Sequence, residues 1–129
     1  MIEIYTDASA DGLHAVIGMM VYKDDQMIQE DFRVIKGIYS AQAELLAVAM
    51  AVSLFPNEQV HIHTDSLYVV NVLNKLWKIK KYKELWKTVI DLVERNNSIV
   101  TFVKGHDKND RNNRVDRAVR TKLREARKG

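Results

Sequence analysis

The chain contains 129 residues, of which 47% are hydrophobic and 29% are charged, so it has the composition of one folded domain rather than of a disordered segment. The absence of cysteine excludes disulfides, thiolate metal sites and cysteine nucleophiles. The formal net charge is +3, and basic residues concentrate in two stretches, 75–87 and 111–128, which indicate either solvated helix faces or a surface that contacts phosphates.

The first part of the chain is predicted to form three antiparallel strands. Residues 1–8 alternate between two faces, and residues 13–22 are mostly apolar and rich in residues that favour strands. The polar sequence KDDQ at 23–26 predicts a turn into a third strand over 27–35. These segments together indicate a β-meander.

Residues 40–55 predict the first helix, because alanine and leucine recur over four turns on most sides of the segment, which indicates burial. We expect Ser40 to cap its start, and Pro56 follows its end. The alternating segment 59–65 then predicts a fourth strand, so that strands and helices begin to alternate after the meander.

Two further helices are predicted over 66–77 and 81–96, followed by a fifth strand over 99–103 and a polar loop. Asn112 or Asn113 is expected to cap the last helix. The residues of this helix that are expected to face inward are Val115, Val119, Leu123 and Ala126.

The predicted order of elements is βββαβααβα, in a single α/β domain over residues 1–129. A meander followed by alternating strands and helices implies a mixed sheet with helices on its faces. The parallel part of this sheet is expected to comprise the first, fourth and fifth strands.

Two of these strands end alike, the first in Thr6-Asp7 and the fourth in Thr64-Asp65. Parallel neighbours present their carboxyl ends at one edge of a sheet, where open α/β sheets place their sites. A single aspartate at a strand end is more often a turn former or a helix cap. Two of them at equivalent ends of adjacent strands favour a functional site.

Two further acidic residues lie among apolar helical neighbours. Glu44 lies one turn into the first predicted helix, and Asp116 follows the inward-facing Val115. The alternative for Glu44 is a complement to the helix dipole, and for Asp116 an ion pair with Arg120 at i+4. A carboxylate on a buried or half-buried face otherwise needs a cation beside it.

The four carboxylates come with no cysteine and no paired histidine ligands, so they favour hard cations, Mg²⁺ or Mn²⁺. They are Asp7, Glu44, Asp65 and Asp116. Two ions about 4 Å apart suit in-line displacement at phosphorus, where one generates hydroxide and the other stabilises the leaving oxyanion. Such a site needs no protein nucleophile.

Histidines offer one further candidate. His106 lies in the polar loop VKGHDKND, from which it could transfer protons at the mouth of a carboxylate site, or be merely an exposed loop residue. His61 and His63 share the predicted strand face of Asp65 but lie further from the strand end, and we interpret them as packing residues.

At this point the motifs YTDAS, SAQAELLAVAMAV, HTDSLYVV, VKGH and NNRVDRAV resemble those of type 1 ribonucleases H in order and spacing. The resemblance runs from residue 2 to about residue 123. It implies the ribonuclease H-like fold, with a five-stranded mixed sheet in the order 3-2-1-4-5. It also implies Mg²⁺-dependent endonucleolytic hydrolysis of the RNA strand of RNA–DNA hybrids, which leaves 5′-phosphate and 3′-hydroxyl ends.

The resemblance assigns roles to single residues. The four carboxylates hold two metal ions, and His106 serves in proton transfer or product release. Asn112 matches a position that contacts the RNA strand, and Trp86 matches a largely buried tryptophan near a phosphate-binding pocket. The predicted substrate contacts are Ser9, Ser40, Gln42, Ser66, Trp77, Lys80, Lys81 and Asn112. Recognition of 2′-hydroxyls would separate the RNA strand from DNA.

The chain departs from the family in three places. The loop after Asp7 is short and Ala8 replaces the usual glycine, while the segment before Glu44 reads YSAQA. There is also little room between Asp65 and Trp86 for the long basic protrusion of many bacterial members. The segment KLWKIKKYKELWK, with aromatic residues among its lysines, is expected to supply part of that function.

Three alternatives stay open from the sequence. They are another nuclease or transferase of the same fold, a weakly active or non-catalytic module that binds hybrids, and a domain of a reverse transcriptase. The complete acidic set and the KGH and NNRVD motifs favour the ribonuclease H. We expect a monomer without membrane association or an obligate protein partner. The absence of cysteine and of a signal peptide fits a cytoplasmic location.

Overall fold

The computed structural model describes residues 1–104 and 110–128, so the predicted site residue His106 lies outside the described residues. The elements are β1 (Ile2–Ala10), β2 (His14–Lys23), β3 (Gln26–Lys36), α1 (Ser40–Leu54), β4 (Val60–Thr64), α2 (Leu67–Leu73), α3 (Lys83–Arg95), β5 (Ile99–Phe102) and α4 (Asp110–Lys128). They form a five-stranded sheet in the order β3-β2-β1-β4-β5, in which β1, β4 and β5 are parallel and β2 and β3 complete the meander. The predicted element order and sheet topology are confirmed.

The apolar core lies between the sheet and helices on both of its faces. Because strand side chains alternate, Ile4 points to the face covered by α1, α2 and α3, whereas Tyr5 points to the face covered by α4. Val48 of α1 and Val115 of α4 are fully buried in the two layers. Among the described residues, no helix combines the length and the apolar character needed to cross a membrane.

The predicted caps at two helix starts are wrong. Tyr39, rather than Ser40, precedes α1, and no side chain caps that helix. Asn112 and Asn113 lie inside α4, which is helical from Asp110 onward. Both errors arise because a polar residue near a helix start can cap the helix or lie in its first turns, and the sequence pattern does not distinguish these positions.

The helix α2 is shorter than the predicted segment 66–77. Lys75 adopts a left-handed conformation with φ of 62°, and the Leu76 N–H donates to the Asn71 carbonyl oxygen at 2.8 Å. This pattern of bonds closes the C-terminus of a helix, so α2 ends at Leu73. The following residues, 74–82, form the connection to α3, which is longer than the predicted one.

Gly18 sets the distance between α4 and the sheet. It lies in the middle of β2, where its partners are Asp7 on β1 and Phe32 on β3. A Cβ atom at this position would stand 2.6 Å from Phe32 Cδ1 and 2.8 Å from Val119 Cγ1 on α4. Since carbon atoms do not approach so closely, α4 can pack at its present distance only over a glycine.

We therefore expect Gly18→Ala to lower the free energy of unfolding by about 1–3 kcal/mol, because the added methyl group overpacks the layer between β2 and α4. Denaturant unfolding of the wild type and the variant measures the change. A change within the roughly 0.5 kcal/mol that is typical of surface substitutions would contradict the role assigned to Gly18.

Candidate active site

Three carboxylates meet beside α1, where β4 ends next to the middle of β1. The prediction that both strands end at an aspartate holds only for β4, because β1 continues to pair with β2 as far as Ala10. Thr6 pairs with Thr64 of the parallel strand, so Asp7 and Asp65, the next residue in each strand direction, lie at equivalent positions. Glu44 reaches the same place from the second turn of α1. One donor oxygen from each of Asp7, Glu44 and Asp65 lies within 4.8 Å of the others. Residues that are far apart in the sequence are thus neighbours in space.

Asp116 adjoins this group from α4. Its carboxyl lies against that of Asp7, and its charge acts on Glu44. Its Oδ2 also accepts an ion-paired hydrogen bond from Arg120 Nη2 at 2.8 Å, one turn further along the helix. The ion pair that the sequence offered as an alternative therefore coexists with proximity to the other carboxyls. We name Asp7, Glu44, Asp65 and Asp116 the carboxylate cluster.

Burial and repulsion disfavour the charged forms of Asp7 and Glu44. Burial raises the pKa of Asp7 well above the usual range of an aspartate, and repulsion from Glu44 and Asp65 raises it further. The Ala8 N–H donates to Asp7 Oδ1 at 2.8 Å and acts in the opposite direction. Burial likewise raises the pKa of Glu44, with smaller contributions from the charges of Asp65 and Asp116. Without added positive charge, these carboxyls therefore favour the protonated form.

The cluster has the chemistry of a site for hard divalent cations. Asp7 Oδ2 and Glu44 Oε2 are buried, and neither has a hydrogen-bond partner within residues 1–104 and 110–128. A buried carboxylate oxygen without a donor needs a cation. A donor set made only of carboxylate oxygens suits Mg²⁺ or Mn²⁺ rather than softer metals. The acidic residues can therefore bind metal.

A groove of about 730 Å³ opens beside the start of α1. Its walls combine aromatic with basic side chains, namely Tyr39, Tyr68, Trp77, Tyr82, Lys78, Lys80 and Lys81. Behind this wall, Trp86 is fully buried, and its Nε1 donates to the Tyr68 hydroxyl at 2.8 Å. This hydrogen bond anchors the wall to the core. We call this feature the aromatic–lysine groove.

The predicted substrate contacts fall into two settings. Those that are at least partly exposed are Ser9, Ser40, Gln42, Trp77, Lys80 and Lys81. Ser66 is buried, and its Oγ accepts a hydrogen bond from the Val69 N–H at 3.2 Å as the cap of α2. Asn112 is only 1% exposed on α4. For all of them, and for the role of His106, contact with a substrate stays a prediction.

Sequence reasoning missed Tyr39, Tyr68 and Gly18. The two tyrosines each lie within a few residues of a motif, SAQAE and HTDS, and an aromatic residue beside a predicted site is a signal that could have indicated a binding wall. For Gly18, the sequence shows only a glycine within an apolar strand and does not indicate that a helix packs against it.

The amino-acid sequence is similar to a known protein family and to several of its members. The model of the RNase H family matches residues 1–124. The ribonuclease H of Clostridium botulinum is 33% identical over 89 residues, a match that covers 57% of this chain and 60% of that protein. The chain thus matches about 60% of the length of this relative. The ribonuclease H of Caldicellulosiruptor saccharolyticus is 25% identical over 142 aligned positions, which cover 96% of this chain and 97% of that protein.

Solved structures show the same fold. The structure of LC11-RNase H1, isolated from compost, in complex with an RNA/DNA hybrid superposes with a TM-score of 0.82 and 21% identity. The superposition covers 98% of this chain and 99% of that one. At this identity the likeness establishes the ribonuclease H-like fold and carries no further statement about substrate.

We expect the stability of the metal-free protein to fall as the pH rises. The pKa values of Asp7 and Glu44 are raised in the folded state, so above about pH 4 the folded state binds more protons than the unfolded state. Each such group lowers the free energy of unfolding by up to about 1.4 kcal/mol per pH unit until the raised pKa is passed. Unfolding in EDTA at a series of pH values measures the slope.

Asp7→Asn should flatten this pH dependence, because the amide cannot ionise. Asp91→Asn, on the exposed side of α3, is the matched control and should leave the slope as in the wild type. Equal slopes for the wild type and Asp7→Asn would show that Asp7 is not held in an unfavourable charged environment.

Proposed function

Since the chain belongs to the RNase H family, whose model matches residues 1–124, we propose that it hydrolyses the RNA strand of RNA–DNA hybrids. The observation that carries this proposal is the carboxylate cluster, in which three donor oxygens lie within 4.8 Å of one another. Relatives named ribonuclease H support the substrate class. Cleavage is proposed to be endonucleolytic and to leave 5′-phosphate and 3′-hydroxyl ends.

Two divalent cations, Mg²⁺ or alternatively Mn²⁺, are proposed to bind the carboxylate cluster. When bound, they supply charge neutralisation, water activation and stabilisation of the leaving oxygen. The Ala8 N–H fixes one oxygen of Asp7 and leaves Oδ2 for a cation, while Glu44 offers its buried Oε2. Burial of both groups strengthens their interaction with a cation, because less water screens it.

Two basic groups, Arg120 and His106, are proposed to serve the cluster. Arg120 holds the Asp116 carboxylate at 2.8 Å and so keeps it oriented next to Asp7. His106 is proposed to transfer a proton or to assist product release. This role rests on the motif resemblance and on its sequence position between β5 and α4.

The aromatic–lysine groove is proposed to bind the hybrid backbone beside the cluster. Lys80 and Lys81 place two positive charges at a wall that also carries Trp77, so phosphates and stacked groups can be bound together. The groove includes Tyr39, the residue before α1, and Glu44 follows in the second turn of that helix. A duplex in the groove would therefore extend toward the cluster. Ser9, Ser40, Gln42, Ser66 and Asn112 are the further proposed contacts to the hybrid.

We also propose that the protein is a monomer in the cytoplasm, with the hybrid as its main partner. The absence of cysteine is compatible with a reducing compartment. Light scattering of the purified protein tests the first statement, and a dimer at low concentration would contradict it.

Asp65→Asn should reduce cleavage of a labelled RNA–DNA hybrid in Mg²⁺ by about 10³-fold or more, because loss of a metal ligand removes several kcal/mol of transition-state stabilisation. Asp91→Asn should cleave like the wild type. Duplex DNA and duplex RNA tested in parallel should resist cleavage. Equal cleavage of all three duplexes would indicate another nuclease of this fold, and no cleavage by the wild type would indicate a binding module.

Replacement of Lys80 and Lys81 by alanine should raise KM and weaken its salt dependence, with a log–log slope lower by about 1 for each phosphate that a lysine no longer neutralises. The value of kcat should change little, since neither lysine belongs to the carboxylate cluster. Replacement of Lys23 and Lys128, which are exposed away from the groove lining, is the control. An unchanged KM in the first variant would identify the lysines as a solvated surface only.

A further inference from the structure

Two histidines and a glutamate meet at the other end of β1 from the carboxylate cluster. Glu3 pairs with His61 in the parallel register of β1 and β4, and His63 follows two residues later on the same strand face. One donor atom from each of Glu3, His61 and His63 lies within 4.8 Å of the others. Along β1, Glu3 is four residues from Asp7, which corresponds to about 13 Å. The two groups of side chains are therefore separate.

Packing restricts the two imidazoles. The ring of His63 stacks on Tyr5 with centroids 4.3 Å apart, and on its other side on His61 at 4.0 Å. Thr101 of β5 places its Oγ1 2.9 Å from His61 Nε2 and 3.5 Å from His63 Nδ1. These contacts confirm the packing role predicted from the sequence. They also place both rings next to the same oxygen, Thr101 Oγ1. An outer hydroxyl of this kind orients histidine ligands in metal sites.

The surroundings leave a net negative charge at this place. Glu3 Oε1 lies 3.0 Å from His63 Nε2, and Glu3 Oε2 lies 3.5 Å from Arg111 Nη1. Arg111 is in turn held by Asp25 at 3.0 Å and stacks over the Tyr22 ring at 4.1 Å. Two carboxylates and one guanidinium sum to a formal charge of −1 when both imidazoles are neutral. A cation is therefore attracted, while Arg111 fixes the glutamate that would bind it.

We propose that Glu3, His61 and His63 form a second metal site, specific for a borderline divalent transition metal such as Zn²⁺. Two imidazoles and one carboxylate are a typical zinc ligand set, whereas Mg²⁺ prefers oxygen ligands alone. Zinc–ligand bonds of about 2.0–2.2 Å place ligands about 3.4 Å apart, so binding would require the stacked rings to turn until their nitrogens face one ion. The fourth position would be left to water.

The test is a titration of the full chain, labelled with ¹⁵N, in which NMR follows the histidine ring nitrogens. Zn²⁺ should shift the signals of His61 and His63 together and leave those of His14, which is outside the site, unchanged. Mg²⁺ in the same concentration range should shift the ring-nitrogen signals of none of these three histidines. Because the signals of His61 and His63 are assigned individually, a response of His106 to zinc at the carboxylate cluster does not imitate it. Unmoved His61 and His63 signals in a large excess of Zn²⁺ would overturn the proposal without requiring any variant to fold.

Variants then identify the ligands. His61→Gln and Glu3→Gln should each lower the association constant for Zn²⁺ at this site by about 100-fold or more, since the loss of even an outer-shell partner costs about 10–100-fold. His14→Gln, the matched control, should bind as the wild type does. Wild-type affinity in both site variants would show that the histidines and Glu3 are an ion-paired packing cluster only.

Discussion

The constraint on which the structure depends is the placement of like charges in a buried site. Carboxyls from β1, from the residue after β4 and from α1 have donor oxygens within 4.8 Å of one another, and a fourth carboxyl on α4 adjoins them. Burial disfavours the ionisation of Asp7 and Glu44, and repulsion from neighbouring carboxylates adds to it. The carboxyls by themselves therefore favour separation, so the surrounding packing must hold each element in place until a cation neutralises the site.

That packing acts from both faces of the sheet. On one face, α1 and α3 bury an apolar core against the central strands, and on the other α4 contacts β1 and β2. Gly18 permits the second contact, because any side chain there would push against Val119. The helix α1 has a second consequence, since it begins beside the aromatic–lysine groove and carries Glu44 in its second turn. The helix α1 thus connects the groove that is proposed to bind the duplex with Glu44, one of the proposed metal ligands.

A single strand face carries both candidate metal sites. Glu3, Tyr5 and Asp7 lie on the face of β1 that α4 covers, because every second residue of a strand points to the same side. Tyr5 stacks on His63 between the two sites. Oxygen donors alone surround one end, and imidazoles join a carboxylate at the other, so the two ends differ in the cations they suit. The difference follows from β4, which presents His61 and His63 along its length and is followed directly by Asp65.

The sequence by itself determined the element order, the parallel set of strands and the candidate carboxylates, because alternation, helical periodicity and acidic residues next to apolar segments are local patterns. Only the tertiary structure decided that α2 ends at Leu73, that Gly18 underlies α4, and that Glu3 joins the two histidines. The physical reason is distance along the chain. The contact of Gly18 with Val119 and that of Glu3 with His63 each join elements that are far apart in the sequence. The sequence pattern of one segment does not indicate how closely another segment packs against it.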